Sequence, residues 1–247
     1  MSQGKRILLL GVYGMEMVEC GGVLCKNVKA GGESHASILF AGEQMRRDLK
    51  PSAEILGCSI EYLGMDSASI SASVEEKKKV MKVIRTFKPD IIITQDPEHC
   101  VSDLDPGRRP AMTLLLEAMA LAGRAVWLEE EAGMEPHRGF TVYYMTPEHP
   151  NCLVDIMDVW AEKCQAMDVL ETQLAFIGEL HDTPADRAMY GKFIAGAEEM
   201  DRLTYGTAIK RQMDLAYHMY YGSTGHNNVV LSENYRRDGL FVLDELI

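Results

Sequence analysis

Ile7 to Leu10 form a short, continuous apolar run after Lys5 and Arg6, and the run passes directly into Gly11, Gly14, Gly21 and Gly22. A run of this length suits a strand buried on both faces, as in parallel sheets. The apolar residues Val23, Leu24 and Val28 then take up helical spacing. Strand, glycine-containing turn and helix in this order constrain the fold more than any other stretch. In open α/β sheets, ligands lie at such turns, beyond the carboxyl ends of the strands.

The same alternation continues along the chain. After a helix from about Gly22 to Lys29, Gly31-Gly32 offers a C-cap, and Ser34 to Phe40 reads as a second strand. Glu43 to Leu56 is an amphipathic helix closed by Gly57, with a kink or restart expected at Pro51. Ile60 to Leu63 is a third strand. Ser73 to Phe87 is a helix with a serine N-cap, acids in its first turn and bases later. Asp90 to Thr94 is a fourth buried strand. Strands alternating with helices predict an α/β fold, a Rossmann-like, mostly parallel sheet with helices on both faces.

Further on, Phe140 to Met145 and Cys152 to Ile156 read as strands, and Met157 to Phe176 as one long helix. Asp186 to about Tyr220 reads as helical, broken at Gly191, Gly196 and Gly206. The tail from His226 carries short apolar runs that fit packing against the body or against a second copy, so a homo-oligomer is among the expected forms. No repeat or linker interrupts residues 1–247, which predicts a single domain.

The 247 residues can bury a real core. A net charge of −12 speaks against nucleic acid or an anionic membrane as partner. No apolar run approaches the ~20 residues that span a bilayer. The apolar stretch near the N-terminus is too short for a secretion signal. Six cysteines without a C-x-x-C pair read as reduced thiols, so a cytoplasmic location is expected.

A second polar stretch, Gln95 to Arg109, follows the fourth strand and so reaches the same sheet edge as the glycine turn. It carries His99, Cys100, Asp103 and Asp105, then Arg108 and Arg109 at the start of a helix running to about Ala122. Loops of this length in a compact chain are usually functional or disordered. So many potential ligands point to function.

Order and spacing resemble the PIG-L/LmbE-like family of zinc-dependent N-deacetylases. The resemblance runs through GVYGMEMVECGG, SHASILFAGE, AEILGCSIEYLGMD with its acid Asp66, PDIIITQDP, PAMTLLLEAMALAG and VDIMDVWAEKCQAMDVLETQ with Lys163. The family's first strand leads into A-H-P-D-D, whose histidine and second aspartate bind zinc and whose first aspartate is the general base. Those positions hold Val12, Met15 and Gly14 here, and Tyr13 replaces the proline. The nearest acid is Glu16, one position beyond. The family's H-x-D-H loop matches either Asp105 to Arg108 or Asp103 to Pro106, and neither register contains two histidines. A hydrolytic zinc usually needs three protein ligands and a water. The standard zinc site is therefore not expected, and the need for any cofactor stays open.

Three readings follow. The resemblance implies a hydrolase cleaving an amide (N-acyl) or related bond of a small polar or sugar-like substrate. Glu16 would be its base, with Tyr13, His99 and Asp105 as further catalytic candidates and Arg108, Arg109 and Asp66 as substrate-binding ones. His99, Asp103 and Asp105 are weak candidates for a metal at a new position. The alternative is a non-catalytic relative that binds an anionic or sugar-like ligand or serves as a partner subunit. The third reading is lyase or isomerase chemistry without metal, since fold does not fix function.

Overall fold

The apolar runs become strands because each can bury both of its faces under helices. A computed structural model describes residues 4–130, 134–225 and 228–241. Among them the strands are β1 (Arg6–Tyr13), β2 (Glu33–Phe40), β3 (Ser59–Tyr62), β4 (Ile91–Gln95), β5 (Thr141–Met145), β6 (Cys152–Asp155) and β7 (Ser232–Arg237). They form one sheet in the order β3-β2-β1-β4-β5-β7-β6. The first five in that order are parallel, whereas β7 runs antiparallel to both β5 and β6. The α/β, mostly parallel sheet expected from the sequence is thus what the chain forms.

The helices are α1 (Glu16–Glu19), α2 (Gly21–Lys29), α3 (Glu43–Leu56), α4 (Val74–Phe87), α5 (Pro97–Ser102), α6 (Arg108–Ala122), α7 (Trp160–Asp168), α8 (Glu171–Leu180), α9 (Pro184–Tyr190) and α10 (Arg202–Ser223). Alternation along β1 assigns its side chains to two cores. Ile7 and Leu9 pack with Leu24, Leu49, Leu56 and Met167, beneath α2, α3 and α7. Leu8, Leu10 and Val12 pack with Val80, Ile84, Leu115 and Ala118, beneath α4 and α6. Ser73 caps α4 in a full capping box with Glu76, as its sequence position suggests.

Several expectations need correction. α3 continues without a restart through Pro51. The stretch after β4 is not a plain loop, because Asp96 accepts the Glu98 N–H at 2.9 Å and starts α5, with Pro97 in its first turn. The long helix expected over Met157 to Phe176 is a 3-10 turn (Met157–Val159) followed by α7 and α8, with Val169 and Leu170 at the break. The tail is more than a packed segment, since β7 inserts between β5 and β6. His226 lies outside the described residues.

Gly206 does not break its helix. A side chain there would place Cβ 1.8 Å from the Leu174 carbonyl oxygen, and one at Gly178 would lie 2.1 Å from that of Arg202. The two glycines let α8 and α10 cross backbone against backbone, a use of glycine that helical periodicity conceals. Gly206→Ala should therefore lower stability by roughly 2 kcal/mol or more, measured by urea unfolding. An unchanged midpoint would contradict the close approach.

Candidate functional site

Between β1 and β4 the chain reverses its direction of travel across the sheet, because β2 and β3 lie on one side and β4 and β5 on the other. The crevice at the carboxyl ends of such a strand pair is the usual ligand site of an open α/β sheet. Five of the candidate residues meet there.

Glu16 opens α1 just past the end of β1 and is only 3% exposed. Its carboxylate accepts the Val12 N–H at 2.7 Å and the Tyr13 N–H at 3.3 Å. It also takes a bond from Arg108 Nη1 at 3.1 Å. Burial pushes its pKa up to about 7, against the opposing pull of the Arg108 guanidinium and the two backbone N–H groups. The side chain is thus held near its titration midpoint at neutral pH.

Arg108 stands at the first position of α6, which Gly107 leaves without a side-chain cap. Its Nε meets Asp103 Oδ2 at 2.9 Å, and its Nη1 also donates to Gln95 Oε1 at the end of β4. The guanidinium lies over the Tyr13 ring, 5.0 Å from its centroid. Among the described residues Nη2 has no partner. The Tyr13 hydroxyl donates to Asp105 Oδ2 at 2.6 Å, while Asp105 Oδ1 accepts the Gly107 N–H at 2.8 Å. Burial, helped by Asp105, raises the Tyr13 pKa to about 12, so Tyr13 is a hydrogen-bond donor rather than a base.

Other candidates lie apart from this cluster. His99 pairs through Nδ1 with Glu148 at 3.0 Å on an exposed surface. Arg109 donates to the Asp103 carbonyl and so holds the loop, away from Glu16. Asp66 spends its carboxylate on its own turn, accepting from the Ala68 N–H and the Ser69 hydroxyl. Cys100 is buried and its thiol is pushed up to about 12, which disarms it as a nucleophile.

The residues present do not fit a catalytic zinc. Val12 is fully buried in the core, Met15 packs against the opposite core, and Gly14 is hemmed in by Leu49 and Met45. Among the described residues no three His, Cys, Asp or Glu side chains come together to hold a metal. His99, Asp103 and Asp105 thus do not form the alternative metal site considered from the sequence.

No family model matches the chain. A diacetylchitobiose deacetylase from Thermococcus kodakarensis is 33% identical over 127 residues, covering 50% of this chain and 47% of the relative. The match thus spans about half the length of that curated protein. The structure superimposes on N,N'-diacetylchitobiose deacetylase from Pyrococcus horikoshii with a TM-score of 0.68 at 20% identity, covering 94% of this chain and 84% of the other. Half of the chain is thus similar in sequence to a diacetylchitobiose deacetylase, and the chain as a whole shares the fold of such an enzyme. The 4-carboxy-2-hydroxymuconate hydratase of Pseudomonas putida shares the fold as well, with a TM-score of 0.66, 19% identity and full coverage of both chains.

Two features of this site have no signal in the sequence. Asp96 is completely buried and forms a two-bond fork with Arg236 of β7, at 2.7 and 2.8 Å. Gln95 reaches Arg108 from the last residue of β4. The Asp-Pro pair signals a helix cap, but nothing near it in sequence points to a partner 140 residues away.

The coupling of Glu16 to Arg108 has a measurable consequence. A carboxyl whose folded pKa lies above its unfolded value makes the folded state bind the extra proton, so stability falls as pH rises through that window and is flat above it. For Glu16 the window runs from the ordinary 4.5 to about 7. Glu16→Gln should remove that slope from urea unfolding series. Arg108→Met should move the Glu16 titration, followed by carboxyl NMR, to still higher pH. A lower value in that variant would contradict the attraction assigned here.

Proposed function

We propose that the chain is a deacetylase-type hydrolase that cleaves an amide (N-acyl) bond of a small polar or sugar-like substrate without the zinc set implied by the family. The observation that supports this is Glu16, a buried carboxylate poised near neutrality beside a guanidinium with an uncommitted N–H group. General bases work best with a pKa close to the working pH. The ionised Glu16 takes a proton from the attacking water as its oxygen bonds to the acyl carbon, and the protonated Glu16 then returns it to the nitrogen as the C–N bond breaks, releasing the acid and the amine. Arg108 Nη2 donates to the oxygen that gains charge as the carbonyl becomes tetrahedral, at the N-terminus of α6 where the helix dipole also favours an anion. Tyr13 and Asp103 hold the guanidinium in place.

A different observation favours the second reading, a non-catalytic protein that binds a polar or anionic ligand. Glu16 already accepts two backbone N–H groups and an arginine, so its lone pairs are largely committed to holding its own turn. In that case Arg108 Nη2 alone faces the ligand, an anion bound at the head of α6.

Acetate release from N-acetylglucosamine and diacetylchitobiose, followed in chelator-treated buffer, separates the two. The hydrolase reading predicts turnover that survives chelation and rises with pH through about 7, as Glu16 ionises. Glu16→Gln should lower it by roughly 100-fold or more. Absence of turnover with saturable binding of these or anionic compounds would leave the binding reading in its place.

A further inference from the structure

The same sheet edge holds a cavity of about 240 Å³, where the ends of β5 and β7 meet α7 and α10. None of its walls belongs to the Tyr13, Glu16 and Arg108 cluster, so it stands independently of the hydrolase reading. Met145, Met167 and Met213 give it an apolar side. Its volume far exceeds the ~30 Å³ share of a single water, and it falls somewhat below the roughly 300–1,000 Å³ of drug-sized sites.

The polar side of the cavity contains groups whose hydrogen bonding is incomplete. Asn234 of β7 is 4% exposed. Its Oδ1 accepts from the Ser232 hydroxyl at 3.2 Å; of the two Nδ2 N–H groups one at most is directed at the Tyr217 hydroxyl, which leaves a further N–H without an acceptor. A buried donor without an acceptor is costly, and native chains rarely keep one without a use. Through the same Ser232, His218 of α10 joins this wall, its Nδ1 2.8 Å from the Ser232 carbonyl oxygen. Only an N–H can face that oxygen, which leaves Nε2 as the acceptor of a neutral ring. Burial and the nearby Lys163 keep the ring uncharged, with a pKa of about 3.

The charges around the cavity are matched. Lys163 meets Glu233 at 2.7 Å, Lys210 meets Asp214 at 2.7 Å, and Glu19 stands 4.0 Å from Lys210. Two ammonium groups against three carboxylates leave no surplus positive charge for an anion, and each ammonium already has a partner.

We infer that this cavity binds a small, uncharged polar molecule that offers a carbonyl or hydroxyl oxygen to Asn234 Nδ2 and an O–H or N–H donor to His218 Nε2. The apolar edge of that molecule lies against the three methionines.

Methyl-labelled methionine gives a direct test, because three of the sixteen methionines line the cavity and Met15 marks the Glu16 turn. Titration with acetamide or N-acetylglucosamine should shift the Met145, Met167 and Met213 methyl resonances in a saturable way, whereas acetate and glucosamine should not. Asn234→Leu should weaken binding about tenfold. Met213→Trp, on a half-exposed face of α10, should block the mouth without disturbing the fold. The inference is overturned if no neutral probe shifts these methyls, if both variants bind like the parent, or if Met15 responds while the cavity methionines do not.

Discussion

One buried ion pair, Lys163 with Glu233, ties together the parts that must meet at the sheet edge. Each side chain is almost wholly removed from water. A lone charge in such a place would be strongly destabilising, so the pair persists only because its remaining hydrogen-bonding capacity is met. Glu233 accepts the Gly22 and Val23 N–H groups at the head of α2 and the Tyr235 hydroxyl. Lys163 donates to the Val18 and Glu19 carbonyls at the end of α1. The end of one helix and the start of the next are thereby satisfied by opposite charges, in the sense that their dipoles favour. Gly22 is needed for this, since a side chain there would place Cβ 2.7 Å from Glu233 Oε1. Breaking such a pair typically costs about 3–5 kcal/mol.

The pair fixes the turn after β1, and that turn presents Glu16 to Arg108. At that edge the Arg108 guanidinium lies among Glu16, Asp103 and Gln95. A single diffuse positive charge lowers the Glu16 pKa less than burial raises it, and the carboxylate is left near neutrality rather than fully ionised. Val12 and Met15, which cannot coordinate a metal through borderline or hard donors, join the two cores on either side of β1.

Much of the fold could be read from the sequence because it rests on local pattern. The apolar runs at Ile7, Ser34, Ile60 and Asp90, with the helices between them, specify the parallel half of the sheet. What escaped depends on contacts between distant residues. The break at Val169 and Leu170 interrupts no apolar periodicity, and Gly206 serves close helix packing where its identity suggested a break. The place of β7 depends on Glu233 meeting Lys163 and on Arg236 meeting Asp96, partners 70 and 140 residues away. Within the site, Tyr13, Glu16, Asp103, Asp105 and Arg108 could be nominated because two loops share one sheet edge. The different positions of His99, Arg109 and Asp66 follow from side-chain pairings that spacing does not reveal.

The function proposed for this chain rests on an arginine, rather than a metal, beside Glu16. Elemental analysis of the purified, folded protein tests it most directly, with Arg108→Met measured alongside the parent. The account predicts far less than one zinc, iron or other transition metal per chain in both proteins. A near-stoichiometric metal in the parent that survives gel filtration would contradict it.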